Sequence, residues 1–324
     1  VIVFRDPADI PADFGPSVVA IGKFDGVHTG HRAVIDRARI DAATGGSQVV
    51  AVTFDRNPLA LLRPEICPES LIGVHQKLAL LAEAGVDATV VLRFDETLAS
   101  LSPREFVEHV LADRIGAHVV LVGEDFRFGH RGAGDPATLA ELGREFGFAV
   151  QVVEDVRAID ADRRVSSTWV REALTDGDIV TAAKLLGRHP SVWGEVVHGL
   201  KRGRALGFPT ANLSPDLEGF VPAEGVYAGW LVDEGPEGAD PAAASQRSIR
   251  YPAAISIGTN PTFDDVAVRQ VEAYVLDETD LDLYGHRVEV QFAARIRGMT
   301  AFSGVDALID QIADDVAKVR AVLG

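Results

Sequence analysis

Short apolar runs rich in β-branched residues recur along the first half of the chain, at Ser17 to Ile21, Val49 to Phe54, Ala88 to Phe94, His118 to Val122 and Phe148 to Val153. Between them lie segments whose apolar positions return at helical spacing, beginning with His31 to Ile40. Strands that lack polar alternation are buried on both faces, and a helix between successive strands is the pattern of a parallel sheet covered by helices. Two helices carry their own start signals. Ser102-Pro103-Arg104-Glu105 is a capping box with proline at the first helical position, and Asp135-Pro136 opens another helix. The first half is therefore expected to be an α/β domain.

The pattern changes after a last helical stretch, Asp178 to Leu186, which ends at Gly187-Arg188-His189-Pro190. Strand-like segments with Gly and Pro turns follow at Ser191 to Gly199, Gly225 to Val232, Ala253 to Ile257, Gln270 to Asp277 and Arg287 to Ala294. A helix from Val305 to Leu323 closes the chain. Short strands with few helices predict a small antiparallel β-barrel. The change of pattern sets a domain boundary, giving domains 1–186 and 187–324. Asp233 to Gln246, rich in Pro, Ala, Glu and Gly, has no period and reads as a mobile surface loop.

Composition narrows the chemistry. A chain of 324 residues with 47% hydrophobic content can build two cores. A formal charge of −17 argues against a nucleic-acid partner, since phosphate contacts need a basic face. Small anionic substrates stay open through local clusters. No segment reaches the apolar length of a membrane span, and Val1 to Pro11 carries acids and prolines instead of a signal pattern, so a cytoplasmic protein is expected. The oligomeric state, a homo-oligomer included, is not fixed by these features. A single cysteine, Cys67, supports neither an intrachain disulfide nor a zinc framework.

The densest chemistry in the first half is Gly22-Lys23-Phe24-Asp25-Gly26-Val27-His28-Thr29-Gly30-His31, which falls in the turn between the first strand and the first helix. Unpaired N–H groups at a helix N-terminus favour anions, and imidazole donors there would stabilise charge developing on phosphate oxygens. The plainer alternatives are a helix-capping histidine pair or half of a metal site. No GxGxxG follows the first strand, so hydride transfer on a dinucleotide is not expected. In open α/β sheets ligands lie beyond the carboxyl ends of the strands. Three more clusters follow strands: Thr53 to Pro58, Gly123 to Asp135, and Val165-Ser166-Ser167-Thr168-Trp169-Val170-Arg171. Each alone is an ordinary turn, connection or helix cap; their joint placement marks a site.

The histidine run resembles the HxGH signature of the nucleotidylyltransferase superfamily, and in its longer form, GxFDGxHxGH, the bacterial bifunctional riboflavin kinase/FAD synthetases. The resemblance implies a Rossmann-like fold for the first domain. It further implies that His28, His31, Ser166, Ser167 and Arg171 surround the ATP triphosphate, with Gly22, Phe24, Asp25 and Gly30 in the same phosphate site. Asp125, Phe126, Arg127 and Phe128, with Asp55 and Asn57, would complete the nucleotide and flavin pocket. Family members often carry histidine where this chain has Asn57, and Lys23 occupies a commonly uncharged position.

In the second half, His198 to Leu213 gathers Gly199, Lys201, Gly203, Arg204 and Gly207, which could wrap a polyphosphate. Pro209-Thr210-Ala211-Asn212 follows directly. In an extended segment Thr210 and Asn212 face the same side and offer the oxygen ligands a hard cation prefers. This stretch resembles the PTAN motif of flavokinases, which implies that Thr210 and Asn212 hold magnesium with the nucleotide. From alternation alone Glu272 reads as a solvated strand residue. The family position implies instead that it accepts the proton of the riboflavin 5′-hydroxyl. Asn260 and Thr262, within Asn260-Pro261-Thr262, would shape the flavin side, and Arg297 matches near the end, where Gly298 and Ala301 replace residues that are often charged.

The resemblance thus implies two ATP-dependent reactions, riboflavin to FMN in the second domain and FMN to FAD in the first, with Mg²⁺ at both sites and riboflavin, FMN, FAD and ATP as ligands. The alternatives are another HxGH transferase, such as one acting on phosphopantetheine, and a flavin-binding protein without catalysis.

Overall fold

A computed structural model describes residues 1–158, 162–199, 207–236, 249–261, 267–278 and 281–324, with the backbone alone at 260, 261, 267 and 268. By contact the chain forms two compact units, Val1–Ser167 and Thr168–Gly324.

The first unit is built on a six-stranded parallel sheet of β1 Ile2–Phe4, β2 Ser17–Ile21, β3 Gln48–Phe54, β4 Ala88–Leu92, β5 Ala117–Gly123 and β6 Ala149–Val153, in the order β1-β4-β3-β2-β5-β6. Every residue of β2 and of β4 is buried, which is why these strands show no polar alternation. The one strand the pattern did not announce is β1. It is three residues long and pairs only with β4, and at this edge Ile2 and Val3 stay exposed. Around the sheet run α1 Thr29–Gly45, α2 Leu59–Leu62, α3 Val74–Glu83, α4 Glu96–Ser100, α5 Pro103–Phe106, which continues as a π-helix to Ala112, and α6 Pro136–Phe146. Both expected caps form: Ser102 and Glu105 exchange bonds at α5, and Asp135 accepts from the Thr138 N–H at α6. Since β2 pairs with β3 on one side and β5 on the other, the chain reverses its direction of winding between β2 and β5. The histidine loop after β2 and the Gly123 to Asp135 segment after β5 flank that switch point, where open α/β sheets bind ligands.

The contact division falls in the first turn of α7 Ser167–Asp176, so α7 and α8 Ile179–Leu186 group with the barrel, whereas the change of sequence pattern comes at Gly187. The reason is local bonding: Arg295 donates to the Asp176 carbonyl, and the Ala223 N–H donates to that of Leu174. The barrel closes from β7 Ser191–Val197, β8 Ala211–Leu213, β9 Gly225–Pro236, β10 Ile249–Pro261, β11 Ala267–Val275 and β12 His286–Arg297, in the order β10-β11-β8-β7-β12-β9. Among these, β8 is too short to announce itself, yet it links β7 to β11 and completes the closure.

The expected surface loop from Asp233 is corrected at its start: Asp233–Pro236 belong to β9, and Asp233 accepts from the Gly235 N–H and lies 2.9 Å from His286 Nδ1. Residues 237–246 of that stretch lie outside the described residues. The closing helix, α9 Val305–Leu323, matches its expected span. It is clamped to the end of β12 by Arg297, whose Nε and Nη2 donate to the buried Asp315 carboxylate at 2.7 to 3.0 Å. None of the described helices is long and apolar enough to cross a membrane.

Candidate active sites

In the first unit, the turn after β2 is strained. Phe24 (φ 48°) and Val27 (φ 39°) both adopt left-handed backbone conformations although neither is glycine, and for a β-branched residue this is rare. Both side chains are buried, and packing holds the turn in place. His28 then caps α1, its Nδ1 accepting from the His31 N–H at 3.3 Å. The plainer expectation of a capping histidine is therefore met, and it has a chemical result: an accepting Nδ1 leaves the proton of the neutral ring on Nε2, as a donor. The His31 ring stacks on that of His28 with centroids 3.7 Å apart. A Cβ on residue 30 would stand 3.1 Å from the His28 ring, so glycine there makes room for the stack.

Burial is the main cause that holds His31 well below the ordinary imidazole pKa, followed by the positive fields of His28, Lys77, Lys23 and Arg164. His31 is thus a neutral donor at physiological pH, and its Nδ1 is buried without a protein partner. In a strongly acidic chain, Lys23, Lys77 and Arg164 form a local basic cluster beside the paired imidazoles. Paired imidazoles at a helix N-terminus, His31 neutral among them, with cations around them suit a polyanion.

The neighbouring loops are tied to this turn. Asp25 accepts from the Leu71 N–H at 2.8 Å, while its own carbonyl accepts from the Ser167 hydroxyl at 2.7 Å. The expected phosphate residue Ser167 is thereby fixed against the histidine loop, with Ser166 beside it and Arg171 one turn further along α7. Asp55 accepts from the Phe94 N–H, tying the end of β3 to the segment after β4, and Asn57 accepts from the Leu59 N–H within its own turn. After β5, Asp125 pairs with Arg164 at 2.9 Å, and Arg127 lies 3.5 Å from Asp135. Asp125 and Arg127 therefore have separate partners. The rings of Phe126 and Phe128 stack at 5.4 Å, and Phe128 bridges to Gly134.

Two residues of this cluster escaped the reading of the sequence. Arg164 precedes the serine motif and looks like a strand-end charge; of its partners, Asp155 lies nine residues before it and Asp125 is distant in sequence. Lys77 sits mid-helix, where lysine usually means a solvated face, yet it is only 8% exposed.

In the second unit, β8 pairs with β11 so that Asn212 lies opposite Glu272. Thr210 Oγ1 donates to Glu272 at 3.3 Å. The Asn212 amide donates to the Thr210 carbonyl at 3.1 Å and hydroxyl at 3.3 Å, and its Oδ1 accepts from Gln270 at 3.0 Å. Burial raises the Glu272 pKa above the usual carboxylate range, opposed by the Thr210 hydrogen bond. The solvated-strand expectation thus gives way to a half-buried carboxyl inside a polar network, because closure through β8 covers that face. Gln270, two residues before Glu272 on the same face, is the member the sequence did not mark. Gly199 is required by close approach: a Cβ there would stand 2.5 Å from the Asn212 carboxamide. Gly207, at φ 87°, precedes the Thr210 segment. Lys201, Gly203, Arg204 and Thr262 lie outside the described residues, and Asn260 is placed by its backbone alone, in β10.

Thr210 and Asn212 offer oxygen atoms, as a hard cation requires. Among the described residues no three His, Cys, Asp or Glu side chains gather into a cage, so the nucleotide's own oxygens would have to complete the coordination of any such ion.

The chain has relatives among known proteins. Residues 10–169 match the family model of FAD synthetase, and residues 186–323 that of riboflavin kinase. The chain is 35% identical over 307 residues to the bifunctional riboflavin kinase/FMN adenylyltransferase of Escherichia coli (strain K12), covering 95% of this chain and 93% of that protein. It is 37% identical to the protein so named from Pseudomonas fluorescens, covering 94% and 92%. A solved structure from Streptococcus pneumoniae, described as a macrolide-efflux protein, superposes with a TM-score of 0.82 at 31% identity over 98% of both chains. With both family models matched in order along one chain, this protein belongs to the bifunctional riboflavin kinase/FMN adenylyltransferase family.

Proposed function

We propose that the barrel transfers the γ-phosphoryl group of ATP to the 5′-hydroxyl of riboflavin, and that the α/β unit then joins AMP from a second ATP to FMN, releasing pyrophosphate. In the first reaction Glu272 accepts the hydroxyl proton as the oxygen attacks phosphorus and ADP leaves. Burial raises its pKa above the usual carboxylate range, which strengthens it as a base. Thr210 and Asn212 would hold Mg²⁺ with the nucleotide, the ion neutralising phosphate charge when bound. Gln270 orients Asn212, and Lys201, Gly203 and Arg204 are expected to wrap the polyphosphate beside Gly199 and Gly207.

In the second reaction an FMN phosphate oxygen attacks the α-phosphorus of ATP. The capped His28, through Nε2–H, and neutral His31 donate to the phosphate oxygens, while Ser166, Ser167 and Arg171 hold the triphosphate from the start of α7. Neither reaction needs a covalent enzyme intermediate.

The observation that carries the kinase assignment is the β8–β11 register, which sets Thr210, Asn212 and Glu272 into one hydrogen-bonded group. Incubation with riboflavin, ATP and Mg²⁺, resolved by chromatography, should give FMN first and FAD after it. Persistence of riboflavin alone would overturn the reading. A sharper check is Gly199→Ala, whose methyl group displaces the Asn212 carboxamide. A shift of about 1 Å can cost on the order of 10² in rate, so FMN formation should fall by about that factor while FAD formation from supplied FMN continues.

A further inference from the structure

The mechanism above leaves one buried cation of the first unit without a task. Lys77 lies in α3 among the buried residues of that helix, Gln76 and Leu81. A buried ammonium must be held by acceptors. Its Nζ donates at 3.1 Å to the carbonyl of Phe54, the last residue of β3. One residue earlier the buried Thr53 donates its hydroxyl at 3.2 Å to the carbonyl of Lys23, inside the strained turn. The segment leading into α3 is bonded to the same turn from the other side, through the Leu71 N–H and Asp25. The ties run from α3 to the end of β3 and on to the histidine loop, where the left-handed residues Phe24 and Val27 depend on their surroundings.

We propose that Lys77 is a positioning residue for adenylyl transfer: from α3 it holds the carboxyl end of β3, and through the Thr53–Lys23 bond the His28–His31 loop, in place. The inference rests on the assignment of FMN adenylylation to this unit. The charged groups that act on His31 are His28 on its own helix cap, Lys77 from α3, Lys23 from the turn after β2 and Arg164 from the segment before α7. Those that favour the charge of Lys77 are Asp25 and Asp55, against its burial. As a cation Lys77 disfavours protonation of His31.

Lys77→Met keeps most of the apolar stem and removes the charge and the hydrogen bond. In the full-length protein, FAD formation from FMN and ATP should fall by about 10- to 100-fold in kcat, with riboflavin phosphorylation unchanged. The acid limb of FAD formation should move to higher pH, and the His31 ring, followed by NMR titration, should take up its proton at higher pH than in the unaltered protein. Lys77→Arg keeps the charge and should restore part of the rate and most of the His31 titration.

Full FAD formation in Lys77→Met with an unmoved pH profile would overturn the proposal. So would equal loss in both variants with the His31 titration unchanged, which is the mark of a purely structural lysine. If the unaltered protein makes no FAD, the adenylylation reading itself fails, and the titration still decides whether Lys77 sets the protonation of His31.

Discussion

Replacing His28 or His31 by Ala is expected to lower FAD formation by about 10²–10³, the usual cost of one lost donor to a developing oxyanion. Riboflavin phosphorylation in the same protein should stay near its unaltered rate. The two positions should differ in stability, because His28 also caps α1 through Nδ1. Losing an N-cap costs about 1 kcal/mol, so His28→Ala should melt earlier than the unaltered protein. His28→Asn supplies another capping oxygen, so it should recover the melting temperature without recovering the rate. Since burial and neighbouring cations keep His31 neutral, FAD formation should hold as pH is lowered past the ordinary histidine range and decline only well below it. Equal loss of both activities would instead mark a folding defect, and unchanged FAD formation in either variant would remove that histidine from the chemistry.

Glu272→Gln should reduce riboflavin phosphorylation by about 10²–10⁴ while riboflavin binding persists, since it removes the proton acceptor and keeps the shape. The sign of the pH dependence follows from the raised pKa. The working form is the carboxylate, so the unaltered rate should fall on the acid side at a pH above the usual glutamate range, and Glu272→Gln should lack that limb. Thr210→Ala and Asn212→Ala should fail differently, by weakening the magnesium–nucleotide complex. Raising Mg²⁺ and ATP should recover part of their activity and none of that lost in Glu272→Gln. Normal turnover in Glu272→Gln at saturating substrates, with chemistry rate-limiting, would return the residue to a structural role.

The parallel sheet and the barrel were legible because each strand long enough to bury a face leaves an apolar run, and the caps at Ser102 and Asp135 announce helices by local bonding alone. Three-residue strands leave no such run. β1 and β8 exist only through their partners, and β8 is the strand that turns Glu272 from a solvated residue into part of a site. The motif residues were visible as residue types at fixed spacing, while Arg164, Lys77 and Gln270 were not. Their roles come from tertiary neighbours: two carboxylates for Arg164, a β3 carbonyl for Lys77 and the Asn212 amide for Gln270. Helical or strand periodicity assigns such positions to the surface, and only the packed structure corrects it.

The left-handed backbone at Phe24 and Val27 bears on whether the phosphate cradle can be transplanted. Each such residue costs roughly 1–2 kcal/mol of local preference, and full burial of a Phe or Val side chain contributes about 1.5–3 kcal/mol in return. A peptide carrying Gly22 to His31 has no core to bury those side chains and would not take the loop conformation. Grafted between a strand and a helix of an unrelated α/β scaffold, the ten residues would present both imidazoles without their stack unless the receiving layers offered the same two apolar sockets. The heritable unit is thus the motif together with the sheet and helix surfaces beneath it, and sequence identity in the loop alone is a poor guide to a working graft.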